Sequence, residues 1–170
     1  MKKYIKELIP YIVILVVVVL IRTFLVTPVI VSGESMHNTL EDGYLMILNK
    51  RAKIDRFDIV VIKTNKEEII KRVIGLPGET ISCENGIWYI DGVKQEEDYS
   101  IKTEYCGYDK NNQKTTTYEK ITLEDDEYFC MGDNRMNSKD SRYYGPFTTK
   151  EIKGTTNFIL YPFSKFGKVE

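Results

Sequence analysis

The chain has 170 residues, enough for one core-forming domain and little else. Its 24 basic and 25 acidic side chains leave a net charge of −1, which excludes a partner of nucleic acid, since phosphates are neutralised by a basic stripe. Valine, isoleucine, tyrosine and threonine are abundant and alanine is almost absent, so strands are favoured over helices through most of the chain.

The N-terminus breaks this pattern. Leu8 to Ile21 is apolar apart from the Tyr11 hydroxyl, and Thr23 to Val31 continues after the single Arg22. Counted through Arg22, the run matches the roughly 20 residues needed to cross a bilayer. Lys2, Lys3 and Lys6 precede it, so the positive-inside tendency places the N-terminus in the cytoplasm and the rest of the chain outside. A removed leader would show a small-residue cleavage site after the run, and none follows. A run so β-branched makes a poor soluble helix, and a buried strand would be shorter. The expected organisation is a cytoplasmic stub over 1–7, a transmembrane anchor over 8–27 ended by Pro28, and an extracytoplasmic β domain over 28–170. Arg22 would snorkel toward the far interface. Any chemistry near residue 35 would then sit close to the lipid.

Short strand-like runs follow, separated by turn signals. They are Tyr44 to Leu48, Asp58 to Lys63, Glu68 to Ile74, Ile87 to Ile90, Glu127 to Met131 and Asn157 to Tyr161. Asn85-Gly86 and Asp91-Gly92, on either side of Ile87 to Ile90, predict tight hairpin turns. Thr148 to Lys153 reads as a short helical turn. Residues 94–126 are rich in Lys, Glu, Asp, Asn and Thr and read as a solvated cap insertion contributing little core. Cys83, Cys106 and Cys130 are odd in number, with no CxxC and a single histidine, so a zinc site is not expected and no cofactor is implied. A disulfide is permitted outside the membrane, and Cys83 with Cys106 is the preferred pair because both flank the polar segment; three free thiols in an anaerobic organism fit equally well.

Acyl transfer needs a nucleophile, a base and donors for the oxyanion. The only histidine, His37, is two residues from Ser35 and reads as solvent-exposed. Lysine replaces histidine if burial makes it neutral. In Ile69-Ile70-Lys71-Arg72-Val73-Ile74, alternation puts Lys71 on one face with Ile69 and Val73. Desolvation on a buried face would lower its pKa toward the range of a general base. Equally, it reads as an edge-strand lysine pointing to water. Ser35 is distinguished only by Gly33, which permits a sharp backbone turn.

The boxes Gly33-Glu34-Ser35-Met36-His37-Asn38-Thr39-Leu40, Asp58-Ile59-Val60-Val61, Lys71-Arg72-Val73-Ile74-Gly75-Leu76-Pro77-Gly78-Glu79 and Met131-Gly132-Asp133-Asn134-Arg135, then Ser138-Lys139-Asp140-Ser141-Arg142 and Gly145, follow the apolar N-terminus in order. In this the chain resembles a bacterial type I signal peptidase of Gram-positive type. The resemblance implies a mainly β signal-peptidase-like domain with a small polar cap, anchored by one N-terminal helix, that removes signal peptides from exported preproteins at the outer face of the membrane. It implies Ser35 as nucleophile and Lys71 as general base, with the Ser35 backbone N–H in the oxyanion hole. Gly33 stands where some members carry an oxyanion-hole serine, which leaves Ser32 as a candidate. Ser138 matches the residue that hydrogen-bonds the lysine, and Asp140 with Arg142 a supporting charged pair. Val29, Val31, Met36, Leu40 and Ile70 match apolar pockets for small residues at the first and third positions before the cut; each reads equally well as core. Asn38 replaces the proline usual in the family, which points to a specialised subgroup. A pilus-associated accessory factor working beside pilin and sortase machinery is the alternative.

Overall fold

Short β-branched runs punctuated by Gly, Asn and Asp leave little room for helix beyond the N-terminus. The computed structural model describes residues 2–95, 105–109, 111 and 113–169, apart from the side chains at 2–6 and 20–24. Helix α1 (Lys2–Phe24) leads into β1 (Val26–Ile30), followed by β2 (Leu45–Asn49), β3 (Ile59–Lys63), β4 (Glu68–Gly75), β5 (Thr80–Glu84), β6 (Ile87–Ile90) and β7 (Val93–Lys94). Then come β8 (Gly107–Tyr108), β9 (Lys114–Thr115), β10 (Thr117–Thr122), β11 (Glu127–Met131), α2 (Ser141–Tyr144), β12 (Phe147–Thr148), β13 (Ile152–Thr155), β14 (Phe158–Tyr161) and β15 (Gly167–Lys168).

Nine of these strands form the main sheet in the order β12-β11-β4-β3-β13-β2-β14-β15, with β1 also paired to β2. The order β10-β5-β6-β7 forms a smaller sheet, and β8 pairs with β9. The hairpin turns fall where expected: Asn85, Gly86, Asp91 and Gly92 all have φ between 50° and 79°, the left-handed region that these tight turns demand. One core lies under the smaller sheet, where Trp88, Ile81, Leu123 and Phe129 are buried together. A second holds Met36, Leu40, Met46 and Ile59, and a third Val60, Ile62, Val73 and Phe147.

The structure corrects several expectations. The helix ends at Phe24, before residue 27, and Pro28 lies inside β1 opposite Ile47. Among the described residues β1 pairs only with β2, so the missing proline N–H is tolerated on the open side of this edge strand. Among the described residues no helix is long and apolar enough to cross a membrane. Within α1, Leu8, Ile9 and Ile12 to Val19 are nevertheless exposed rather than packed on the sheets. The side chains of Lys2, Lys3, Lys6 and Arg22 lie outside the described residues.

Thr148 to Lys153 is a strand-to-strand turn, not a helical one. The Glu151 carboxylate accepts from the Thr148 N–H and hydroxyl at 2.8 Å and closes it. The short helix is α2 instead, capped by the Asp140 side chain. The stretch 94–126 supplies β10 and buries Tyr105, Cys106 and Leu123, so it contributes more core than its polar composition announces; 96–104 within it lies outside the described residues.

Of the two cysteine arrangements left open by the sequence, the structure has the Cys83–Cys106 disulfide, with Cys130 free and buried. Burial pushes the Cys130 thiol well up, so it is protonated and inert. The disulfide ties β5 to the segment entering β8 across 23 residues. Loop-closure entropy for such a span predicts a loss of about 3 kcal/mol on reduction. Urea unfolding with and without reductant measures it, and an unchanged midpoint would remove the disulfide from the account of stability.

Candidate active site

The segment after β1 turns on itself to present Ser35. His37 N–H donates to the Glu34 carbonyl at 3.0 Å, and Leu40 N–H to the Met36 carbonyl at 2.8 Å. Met36 and Leu40 are 1% and 0% exposed, so the loop is pinned by two apolar anchors while Ser35 stays half-buried above them. Gly33 begins the turn at φ 81°, where an L side chain would be strained, and its N–H donates to Asp42 Oδ1 at 2.8 Å.

Strand β4 brings the amine. It runs between β3 and β11, with Lys71 opposite Val60 and Arg72 opposite Met131. Side chains on both faces of the strand are buried: Lys71 is 2% exposed and Arg72 6%. Lys71 Nζ lies 2.6 Å from Ser35 Oγ and 2.9 Å from the Ile70 carbonyl. Burial lowers its pKa to about 8, against the opposing pull of Asp140 and Glu67. A buried amine with that pKa accepts a hydroxyl proton near neutral pH. The buried-face reading of Lys71 therefore describes the molecule, and the edge-strand reading does not.

The loop from Gly132 to Arg142 closes over the pair. Asp140 is fully buried and accepts from Ser138 Oγ at 2.7 Å, from Gly132 N–H at 3.0 Å, and from Arg142 Nε and Nη2, both at 2.9 Å. Burial alone would raise its carboxyl, but the Arg142 guanidinium and these hydrogen bonds hold it below the ordinary carboxylate range. Ser138, expected to hydrogen-bond Lys71, gives its proton to Asp140, and among the described residues no hydrogen bond joins it to the amine. The ionised carboxylate takes the hydroxyl proton, while the Ser138 lone pairs stay open to a donor such as the amine.

Sequence reasoning quoted Arg72, Gly132, Asp133 and Asn134 within the boxes but gave them no tasks. Arg72 grips Asp133 through Nε at 2.9 Å and Nη2 at 2.7 Å, and its Nη1 donates to the Phe57 carbonyl at 2.8 Å. A charged residue beside Lys71 in an apolar run was the available signal for a buried partner. Asn134 N–H donates to the Ser35 carbonyl at 3.0 Å, and its side chain to the Glu34 carbonyl at 3.1 Å. Gly132 is required by that approach, because a Cβ there would come within 2.5 Å of the Ser35 carbonyl oxygen and 2.3 Å of Ser138 Oγ.

Other expected site residues separate into two groups. Val29 and Ile70 line a groove of about 520 Å³ together with Pro28, Leu48 and Val61. Val31, Met36 and Leu40 are not among its lining; at 2%, 1% and 0% exposure they are core beneath the serine. Ser32 is exposed, with no contact tying its hydroxyl to the pair, whereas the Ser35 N–H makes no hydrogen bond among the described residues. His37 is exposed as expected, its Nδ1 accepting from Asn38 N–H at 2.9 Å.

Strand order, the hydroxyl–amine contact and its closing loop together have the form of a peptidase. The family model for signal peptidase, peptidase S26, matches residues 2–161, and the chain belongs to that family. It is 40% identical to signal peptidase I S of Bacillus subtilis strain 168 over 98% of this chain and 95% of that one. It is 34% identical to signal peptidase I of Streptococcus pneumoniae serotype 4 over 98% and 97%. A crystal structure of a signal peptidase I from Enterococcus faecalis V583 superposes with a TM-score of 0.50 at 34% identity, covering 61% of this chain and 97% of that one. The enzymatic class of the chain is accordingly signal peptidase I, a serine peptidase.

Asn38 has φ 88° and uses its N–H on His37, and proline can provide neither. Asn38→Pro should therefore cost about 1–3 kcal/mol and loosen the serine loop, while Asn38→Gly keeps both fold and activity. Thermal melts and turnover of the two variants test this; a Pro variant as stable as the parent would refute the loop geometry.

Proposed function

We propose that Ser35 Oγ attacks the carbonyl carbon at the cut site of a preprotein while its proton passes to Lys71 Nζ. The new oxyanion accepts from the Ser35 N–H. Lys71 then returns the proton to the departing amine, the C–N bond breaks, and an acyl group remains on Ser35. Water attacks the ester, Lys71 takes its proton, and Oγ leaves as the hydroxyl is restored. The 2.6 Å contact between a half-buried hydroxyl and a buried amine carries this reading. Asp140, Arg142 and Ser138 hold the surrounding loop rather than react.

The substrates are preprotein signal peptides, with small residues at the first and third positions before the cut. The groove beside Val29 and Ile70 receives the apolar side chains preceding the cut. Helix α1, with exposed apolar residues from Leu8 to Val19, anchors the enzyme in the lipid bilayer, its N-terminus cytoplasmic and the β domain outside. An accessory role at a pilus would leave the hydroxyl–amine pair without a task, so catalysis is preferred.

Ser35→Ala and Lys71→Ala should each lower preprotein cleavage by about 10³-fold or more with the fold retained. Full activity in either variant would sink the dyad and reopen the accessory reading. For the parent enzyme, kcat/KM should climb about tenfold per pH unit below the Lys71 pKa of about 8 and level off above it. The depressed lysine gives the opposite of an unfolding artefact. Between about 8 and its ordinary 10.5 the unfolded chain holds a proton that the folded chain has lost, so this group makes the fold more stable as pH rises. A profile flat from pH 6 to 9 would contradict a neutral-lysine base.

A further inference from the structure

The polar stretch before β8 sends one side chain into the active-site loop. Tyr105 is 6% exposed, and its neighbour Cys106 is held to β5 by the disulfide. Its hydroxyl donates to the Arg135 carbonyl, and the Arg142 guanidinium carbon lies 5.0 Å from the centroid of its ring. Both arginines belong to the loop. Arg135 Nε donates to the Gly132 carbonyl at 3.0 Å, and Arg142 clamps Asp140, which in turn takes Ser138 and the Gly132 N–H. Two residues beyond Gly132, the Asn134 N–H holds the Ser35 carbonyl.

Each of these contacts has a reason to persist. A buried phenol hydroxyl needs an acceptor, and the Arg135 carbonyl provides one. Arg142 pairs its charge with Asp140, but its Nη1 is buried without a hydrogen bond among the described residues, and the Tyr105 ring adds a cation–π contact to the guanidinium. The two arms of the loop, at 135 and at 142, thus meet on one aromatic side chain from outside the catalytic boxes. The Cys83–Cys106 disulfide limits how far that side chain can withdraw.

We propose that Tyr105 is a positioning residue for the signal peptidase reaction, stapled by the Cys83–Cys106 disulfide, that sets the loop from Gly132 to Arg142 against Ser35 and Lys71. The proposal rests on the dyad reading above. Its role is felt in turnover, since it touches neither the groove residues nor the dyad.

The test compares Tyr105→Leu, Tyr105→Phe, Cys106→Ser and Ile90→Ala in detergent-solubilised full-length enzyme cleaving a preprotein. Ile90→Ala weakens the same small sheet without touching Arg135 or Arg142. Tyr105→Leu should lower kcat about tenfold with KM within about twofold of the parent. Tyr105→Phe, which keeps the ring on Arg142 but loses the hydroxyl bond to the Arg135 carbonyl, should fall between the two, several-fold below the parent, and Cys106→Ser should fall beside the Leu variant. Ile90→Ala should lower the melting temperature and keep the parental kcat. An unchanged kcat in Tyr105→Leu would overturn the proposal, as would an equal loss of kcat in Ile90→Ala. If the Leu variant does not fold, the Phe variant decides: a several-fold kcat deficit with KM and melting temperature unchanged supports it, and parental kcat overturns it. Ser35→Ala in the same assay separates the two ideas, since surviving activity there defeats the dyad itself.

Discussion

Burial of the Lys71 amine is the constraint around which the site is organised. An ammonium group loses its hydration inside a protein and relieves the cost by giving up its proton. Lys71 projects from the interior strand β4 onto Ser35, and its burial there is nearly complete. Two nearby carboxylates, Asp140 and Glu67, work in the opposite sense and favour the charged form. Desolvation outweighs them, and Arg142 helps, because its guanidinium both lowers the Lys71 pKa and neutralises Asp140. The Asp140–Arg142 pair is therefore more than a brace: an unpaired buried carboxylate beside the lysine would draw the amine back to its protonated state.

Buried ion pairs are expensive in desolvation and contribute little net stability compared with apolar packing. This site contains two, Asp140 with Arg142 and Asp133 with Arg72, each a two-pronged contact fixed in direction as well as distance. Their value is geometric. Arg72 is the strand neighbour of Lys71, and Asp133 the neighbour of Gly132 and Asn134, so one ion pair joins the strand that holds the amine to the loop that holds the Ser35 carbonyl. Gly132 lets the loop come close enough for that to work, since any Cβ would strike Ser35 or Ser138.

How much of this could be read from the sequence depended on whether the cause was local. Ile87 to Ile90 and Glu127 to Met131 are strands with the expected ends, because alternation and turn residues act within a few positions. Asn85-Gly86 and Asp91-Gly92 took the left-handed backbone that only such residues adopt cheaply. β5 and β10 were missed because each is part polar and finds its partner in the other, more than 30 residues away. Ser35 and Lys71 were legible as a pair only through the ordered boxes, since 36 residues separate them and nothing local says they meet. The Ser138–Asp140 bond was not legible for a related reason: Asp140 read as a charged group and not as a buried acceptor within reach. Tyr105 gave no signal at all, lying in a polar stretch whose composition describes a solvated loop.

The turn after Ser35 shows how one mechanical need can be met by different chemistry. Members of the family usually place proline at the position of Asn38, which stiffens the turn by fixing φ near −65°. Here the backbone has φ 88° at that residue, a region open to asparagine at modest cost and closed to proline. The stiffness has to come from elsewhere, and the neighbouring side chain provides it: His37 Nδ1 accepts the Asn38 N–H that a proline would lack. Below the turn, Met36 and Leu40 bury their side chains in the same core, so the loop is fastened both above and beneath the serine. The chain's only histidine thus belongs to the serine loop as a backbone clip. That assignment leaves Lys71 as the basic group in contact with the Ser35 hydroxyl, and it ties the loss of the proline to the presence of an asparagine–histidine pair rather than to a looser site.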